Sequence, residues 1–340
     1  MTRVAGRLSP RPIHLALQGG GAHGALTWGV LDRLIEDGSF SVAAVSGTSA
    51  GAMNAVALAD GFARGGPDGA REALTDFWTA VGEAARVSPL RRSLRDKLGR
   101  TPGYRLLEEL ARLAPPGLLN PLGLDPLRAI LSERIDFAAV AAGPIRVHVA
   151  ATDVGTGAVR LFSGAEIDVE AVVASACLPQ LSPAVEIDGS AFWDGGYSAN
   201  PALLPLLDDH ASRDILLVQL DADTRPAPRT ARETLDRSSE LAFAAPLLAE
   251  LRMLEWAARN GADVPRLHRI SGPESEAPVA DRMDATPDHL QSLFASGRDW
   301  ASAWLEHGAD TVGEPSGESP VDPETGLSRG FAALRRRLAD

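Results

Sequence analysis

Short apolar runs alternate along the chain with longer stretches in which apolar residues recur every three or four positions. The short runs predict strands, and the longer periodic stretches predict helices. The predicted strands are 13–18, 42–46, 145–152, 159–163, 185–187, 215–220 and 267–270. The predicted helices are 25–36, 50–60, 71–85, 126–134, 169–176, 230–260 and 287–307. Strands separated by helices are typical of an α/β fold with a mainly parallel sheet and helices on both faces.

The same pattern predicts how the chain is organised. We expect one domain over 12–307, with a helical insertion at about 71–134 and a helical C-terminal extension at about 230–307. The pair Asp188-Gly189 between two short strands predicts a hairpin, and therefore an antiparallel excursion from the parallel sheet. Glycines, prolines and acidic residues are frequent after 307, which predicts a flexible acidic linker and a short basic tail over 308–340.

Composition and charge are typical of a globular protein that does not bind nucleic acid. Of the 340 residues, 45% are hydrophobic and 23% are charged, which is ordinary for a globular protein. The formal net charge is −12, so a nucleic-acid partner is not expected. Cys177 is the sole cysteine in the sequence, which suits a reducing compartment. Because no signal-peptide core and no run of about 18 apolar residues occurs, we expect a cytoplasmic protein without a membrane-spanning helix.

One basic stretch stands out in this acidic chain. The segment 86–107 contains seven basic residues and one acidic residue. Leu90, Leu94 and Leu98 recur every four positions, so a helix here would have one apolar face. Such a helix could make peripheral contact with the inner face of a membrane, or it could cap the domain with its leucines facing the core. Both interpretations stay open.

Candidate chemistry begins at a glycine-rich turn between the first predicted strand and helix. Gly19, Gly21 and Gly24 match the dinucleotide-binding template G-x-G-x-x-G, which also requires an acidic residue at the end of the next strand. That strand instead ends in a turn rich in serine and glycine. We therefore interpret the first turn as an anion cradle, in which the amides of Gly20, Gly21 and Ala22 would face the oxyanion of an acyl-transfer intermediate.

The turn after the second predicted strand supplies a candidate nucleophile. Gly47-Thr48-Ser49-Ala50-Gly51 fits G-x-S-x-G, the nucleophile elbow. In such an elbow a strand turns sharply into a helix and exposes the serine hydroxyl, while the glycines let strand and helix approach closely. A turn without chemistry is the plainer alternative, but a strand and a helix flank this pentapeptide as the motif requires.

A nucleophilic serine needs a proton acceptor. A triad in the order serine, acid, histidine would use one of four histidines: His210, His268, His289 or His307. None lies between a strand and a glycine-rich bend, so we expect all four to be solvated or capping residues. Asp194 is the stronger candidate, because it follows an apolar strand and precedes Gly195 and Gly196. We expect it to be shielded and to contact the Ser49 hydroxyl, since burial would raise the pKa of this carboxyl and make it a better base.

Taken in order, these motifs resemble those of a known family. The quoted segments are GGGAHG (19–24), GTSAG (47–51), DGG (194–196) and the longer stretch 174–201 around the aspartate. They are similar to the motifs of the bacterial patatin-like phospholipases, and the resemblance extends over roughly 12–221. Three ordered motifs are far more specific than any one of them.

This resemblance implies a fold, an activity and a set of site residues. The fold would be a three-layer α/β/α sandwich with a mixed, mainly parallel central sheet. The activity would be that of a serine acyl hydrolase with a Ser49–Asp194 dyad, an oxyanion hole at residues 20–22, and no metal or other cofactor. One position departs from the family pattern, because its glycine loop usually carries Arg or Lys where this chain has His23. His23 is therefore a candidate modulator of the oxyanion, and local packing is the alternative.

The expected function is hydrolysis of carboxylic esters in phospholipids or related lipids, without calcium, because no calcium-type loop of oxygen ligands occurs. Two alternatives remain open: an acyltransferase of similar fold, and a non-catalytic lipid-binding or regulatory protein. A lipid or acyl ester is the expected partner. Head group, acyl length and oligomeric state are left open by the sequence.

Overall fold

The computed structural model describes residues 9–86, 125–179, 181–221, 226–272 and 282–313. Its strands are β1 (Arg11–Leu17), β2 (Phe40–Thr48), β3 (Arg146–Asp153), β4 (Val159–Ser163), β5 (Val185–Ile187), β6 (Ser190–Asp194), β7 (Asp214–Val218) and β8 (Arg266–Ile270). Its α-helices are α1 (Gly24–Asp37), α2 (Ala50–Arg86), α3 (Pro126–Arg134), α4 (Phe137–Ala142), α5 (Val169–Ser175), α6 (Leu204–Leu207), α7 (Ala231–Arg259) and α8 (Pro287–His307).

The eight strands of the described chain form one mixed sheet. Its order is β5-β6-β3-β2-β1-β7-β8, and β4 pairs with β3 outside this path. The central strands β3, β2, β1, β7 and β8 run parallel, whereas β4, β5 and β6 pair antiparallel. The predicted hairpin joins β5 to β6, and both of its turn residues, Asp188 and Gly189, have positive φ. The mainly parallel sheet with an antiparallel excursion is thus confirmed.

Alternation along the central strands divides the interior into two cores. Leu15 and Leu17 of β1 belong to a core shared with α1, α2 and α8, whereas Ala16 belongs to a second core. In that second core Leu247 and Leu254 of α7 pack with residues of β1 and β7. The result is the predicted three-layer sandwich, in which the C-terminal extension adds β8 to the sheet, α7 to one face and α8 to the other.

Helices extend further than the sequence pattern predicts. The helix α2 continues through 61–70, between the predicted helices 50–60 and 71–85, and leaves helical geometry only at Gly65 and Gly66. The short helices α4 and α6 have no counterpart among the predicted helices, because six-residue and four-residue segments are too short to show a helical period.

The predicted linker cannot begin at 308. Ala309 and Val312 are buried, and Arg11 donates from Nη1 to the carbonyl oxygen of Val312 at 2.8 Å. The remainder of that linker and tail, from 314 onward, lies outside the described residues, as does 87–124, which contains nearly all of the basic segment. Within the described ranges, no helix combines the length and apolar character needed to cross a bilayer.

The ends of β2 and β6 meet along one edge of β3. Thr48, the last residue of β2, pairs with Ala150, and Asp194, the last residue of β6, pairs with Ala151. Because β4 occupies the other edge of β3 at these positions, β6 lies on the same edge as β2, just beyond the point where β2 ends. The two strands therefore run toward each other, and their C-terminal ends bring Ser49 close to Asp194.

Candidate active site

Ser49 forms the turn between β2 and α2. Its φ of 55° lies in the left-handed region, which residues with side chains seldom adopt, so the turn is strained. The Ser49 amide donates to the Ser175 hydroxyl at 2.9 Å, at the end of the buried helix α5. This bond ties the strained turn to α5 and helps to hold the serine in one orientation.

The glycines of the elbow are positions of close backbone contact. A Cβ on Gly47 would overlap the carbonyl oxygen of Gly51, and a Cβ on Gly51 would overlap the carbonyl oxygen of Leu17. Gly24, at the start of α1, is similarly restricted, because its Cβ would lie 2.6 Å from the Cβ of Ala50. Packing around the serine therefore requires glycine at these three motif positions.

Gly51→Ala is expected to lower the free energy of unfolding by at least about 3 kcal/mol, because the added Cβ meets a backbone oxygen of Leu17 that cannot rotate away. Gly65→Ala is the matched control in the same helix, since a Cβ there meets nothing within 4 Å. Denaturant unfolding of both variants measures the difference. Equal unfolding midpoints would show that the elbow is not packed as described.

Asp194 lies at the end of β6 beside the elbow and is only 1% exposed. Its carboxylate accepts a hydrogen bond from the Gly196 amide at 2.8 Å, and its interaction with the Ser49 hydroxyl lowers the pKa of this carboxyl. Gly195 permits this approach, because a Cβ there would overlap the carbonyl oxygen of Ala150. The structure thus brings the predicted serine and aspartate into direct contact.

The side chain of Asp194 is shielded from solvent. Burial raises the pKa of Asp194 to about 7, although the hydrogen bonds from Gly196 and Ser49 act in the opposite direction. Phe243 of α7 contributes to this burial: its ring lies directly on Gly196, and it packs on the Tyr197 ring at 4.6 Å between centroids. A carboxyl group whose pKa lies near neutrality is able both to accept a proton and to return it.

The glycine loop, residues 19–22, lies against the serine. The Gly19 amide donates to Asn200 Oδ1 at 2.8 Å, and a Cβ on Gly19 would lie 2.9 Å from the Ser49 Cβ. In the part of the chain that the structure describes, the amides of residues 20–22 donate to no protein acceptor. These amides are therefore available to a bound group that carries negative charge.

One cavity contains Ser49, Asp194 and the glycine loop. Its volume is about 630 Å³, within the range of pockets that enclose small organic ligands. Much of its remaining wall is apolar and includes Met53, Trp78, Val81, Leu127, Ile130 and Phe243. No histidine is among the described residues that line it. Asp194 is thus the titratable group that contacts the serine, and the cavity around both is suited to an apolar ligand.

The expectation of a solvated or capping residue is wrong for His268. This ring is buried, with Nε2 at 2.8 Å from Asp214 Oδ1 and Nδ1 at 3.2 Å from Thr311 Oγ1. The carboxylate that holds it belongs to the first residue of β7, and the apolar strand pattern gave no sign of this ion pair. His289 is half-buried, whereas His210 and His307 are exposed.

His23 is fully buried at the start of α1 and is not among the residues that line the cavity. This placement favours the local-packing alternative over a direct effect on a bound oxyanion. Among the described residues, no group of three or more His, Cys, Asp or Glu side chains is arranged to hold a metal ion.

Three residues that support the site belong to no sequence motif. Ser175 and Asn200 lie in the quoted segment 174–201, but their sequence distance from Ser49 and Gly19 gives no sign of contact. Phe243 lies in the C-terminal extension, where an apolar residue in a helical pattern resembles any other core position.

A comparison with protein families agrees with the motifs. A family model described as patatin-like phospholipase matches residues 15–207, which is more than half of the chain. VipD from Legionella pneumophila is 16% identical, with 87% of this chain and 67% of VipD covered and a TM-score of 0.41. The type III effector protein ExoU is 20% identical, with 88% of this chain and 54% of that chain covered and a TM-score of 0.34. This chain therefore spans about half the length of that ExoU structure. No protein with a curated description matches.

Proposed function

Because the chain belongs to the patatin-like phospholipase family, we propose that it is a serine esterase of the phospholipase A type that cleaves carboxylic ester bonds of phospholipids or related lipids. The observation that carries the proposal is the interaction of the Ser49 hydroxyl with the buried carboxylate of Asp194 in one apolar cavity. Hydrolysis of a lipid ester needs these three things: a nucleophile, a proton acceptor and an enclosure for the acyl chain.

The first half of the reaction acylates the serine. Asp194 accepts the proton of the Ser49 hydroxyl while the serine oxygen attacks the ester carbonyl carbon. The protonated Asp194 then returns that proton to the leaving alcohol oxygen as the ester bond breaks. An acyl-serine and a free alcohol result, and the carboxylate is restored. The raised pKa of Asp194, about 7, suits both transfers because neither protonation state is strongly favoured.

The glycine loop would receive the charge that develops on the carbonyl oxygen. The amides of residues 20–22 have no protein acceptor in the described chain, so a hydrogen bond to an oxyanion replaces no existing one. Donors held in place before the reaction need no reorganisation, and one such donor typically contributes about 3 kcal/mol to the transition state. The oxyanion hole is therefore assigned to Gly20, Gly21 and Ala22.

The second half of the reaction regenerates the serine. Asp194 accepts a proton from a water molecule as that water attacks the acyl carbonyl carbon. The tetrahedral intermediate collapses with release of the fatty acid, and the proton passes from Asp194 back to the Ser49 oxygen. The same carboxyl group thus serves both half-reactions without a histidine.

The apolar wall supports a lipid acyl chain as the part of the substrate that is enclosed. Side chains of α2 and α3, among them Trp78, Val81 and Ile130, would remove the methylene groups of such a chain from water. Each buried methylene contributes about 0.8 kcal/mol. An ester with a longer acyl chain is therefore expected to bind more tightly than an acetyl ester, and this would appear as a lower KM.

A fluorophosphonate probe and an ester panel test the proposal. The wild-type protein is expected to be labelled and to release fatty acid from p-nitrophenyl esters and phospholipid vesicles, whereas Ser49→Ala should do neither. Ser239 is a second serine of the cavity wall, so Ser239→Ala is the matched control and should still be labelled.

Two outcomes of this experiment would contradict the proposal. A wild-type protein that binds lipid vesicles without being labelled would be a lipid-binding or regulatory protein. A labelled protein that passes the acyl group to an added alcohol, but releases no fatty acid, would be an acyltransferase.

A further inference from the structure

Gln18 ties the glycine loop to the end of β7. This buried residue directly precedes Gly19. Its side-chain Oε1 accepts hydrogen bonds from the amides of Leu220 and Asp221 at 2.6 and 2.9 Å, and its Nε2 donates to Asp221 Oδ2 at 2.7 Å. Both ends of the side-chain amide are therefore held by the same two residues.

Asp221 is held in turn by Arg282. The guanidinium Nη2 donates to Asp221 Oδ1 at 2.6 Å, and 14% of the Arg282 side chain and 10% of the Asp221 side chain are exposed. Arg282 is thus connected, through the carboxylate of Asp221, to the side chain of Gln18, the residue before the glycine loop. It lies outside the matched family segment 15–207, and no sequence motif singles it out.

Arg282 also contacts the glycine loop directly. Gly21 has a φ of 60°, and a Cβ there would overlap the carbonyl oxygen of Arg282. On the neighbouring glycine, a Cβ of Gly20 would lie 3.0 Å from Leu220 Cδ1. The loop is therefore enclosed by two chain segments, one at 220–221 and one at 282, and the ion pair between Asp221 and Arg282 joins these segments.

We propose that Arg282 is a positioning residue, which holds the amides of residues 20–22 in place for the oxyanion by acting through Asp221 and Gln18. This inference rests on the proposed function. Arg282 lines the cavity, but its guanidinium is paired with the Asp221 carboxylate, so the role proposed for it is to hold the loop. Displacement of oxyanion donors by a fraction of an ångström weakens binding of the transition state more than binding of the substrate.

Arg282→Met keeps an extended side chain but removes the donor to Asp221. It is expected to lower kcat about 10- to 100-fold and to change KM by less than about threefold. The rate of fluorophosphonate labelling should fall in parallel. Arg282→Lys can restore one hydrogen bond to Asp221, so it should recover part of the lost kcat.

Arg298→Met is the matched control in the same C-terminal extension. Arg298 pairs with Asp32 and Glu36 and so links α8 to α1, and it is not among the residues that line the cavity. Both arginine-to-methionine variants should lower Tm, because each loses an ion pair, but Arg298→Met should leave kcat unchanged. Hydrogen exchange at the amides of Gln18 and Gly19 should become faster in Arg282→Met alone, and this measurement needs no enzymatic activity.

The outcomes separate the two proposals. An Arg282→Met protein with wild-type kcat and wild-type exchange at Gln18 and Gly19 overturns the positioning role. A rise in KM that accounts for the whole loss of kcat/KM also overturns it, because Arg282 would then act in substrate binding. If the wild-type protein hydrolyses no ester, the proposed function fails, while the exchange comparison still decides whether Arg282 holds the loop.

Discussion

Replacement of Asp194 by asparagine is expected to lower kcat for ester hydrolysis at least about 1,000-fold without loss of the fold. Asparagine has the same shape and can still accept the hydrogen bond that the Gly196 amide donates at 2.8 Å, but it cannot take a proton from Ser49. Ser49→Ala should lose a comparable amount of activity. The double variant should be no worse than either single variant, because the two residues act as one unit.

The stability of Asp194→Asn distinguishes a catalytic from a structural role for this carboxyl. Folding raises the pKa of Asp194 from 3.8 to about 7, so the ionised form is disfavoured in the folded protein by about 4 kcal/mol. This destabilisation is absent below pH 3.8, grows as the pH rises, and is complete above pH 7. The asparagine variant should therefore become more stable than the wild type, with a gap that widens from pH 5 to pH 7 in denaturant unfolding.

A result in the other direction would contradict this assignment. An Asp194→Asn protein that loses stability at pH 8, in step with its activity, would show that the carboxylate stabilises the fold. An active Asp194→Asn protein would show that another group accepts the proton of the serine.

The pH dependence of kcat/KM is the second large effect that we expect. In the proposed mechanism only the ionised carboxylate accepts the Ser49 proton, and burial raises the pKa of Asp194 to about 7. Activity should therefore be half-maximal near pH 7 and fall about tenfold for each pH unit below it, to about one hundredth of its plateau at pH 5. Initial rates with a soluble p-nitrophenyl ester between pH 5 and pH 9 measure this profile. A midpoint near pH 4 would show that the acting base is not a buried carboxyl.

A substitution at Phe243 should shift the midpoint of this pH profile to lower pH. Removal of its ring in Phe243→Ala would let water reach Gly196 and the carboxylate behind it, so the pKa of Asp194 and the midpoint should fall by on the order of one unit. Phe294→Ala is the matched control, because this ring of α8 packs on Trp28 with centroids 4.1 Å apart. Its midpoint should stay at the wild-type value. Identical midpoints in the two variants would mean that Phe243 does not shield the carboxyl.

Local patterns predicted the elements well because their causes are local. Apolar alternation and helical periodicity gave bounds for every described strand except β6, whose presence followed only from the predicted hairpin. They also located the long helices, including α8 with its bounds, 287–307. Motif spacing pointed to Ser49 and Asp194, because a nucleophile elbow and an Asp-Gly bend each depend on a few consecutive residues. The helix α2 was predicted only in part. Its sequence pattern predicts two helices, because Gly65 and Gly66 interrupt the helical period, whereas the structure has one helix with a bend at these two glycines.

The sequence by itself determined which residues are the candidates for a nucleophile, a base and an anion cradle, and which sheet they belong to. Only the tertiary structure decided that β3 aligns the ends of β2 and β6 so that Ser49 meets Asp194. It also decided that Phe243 covers the bend beside Asp194 and that Arg282 reaches the glycine loop. The physical reason is that pairing register, desolvation and ion-pair partners depend on residues far apart in the chain. No local pattern contains that information.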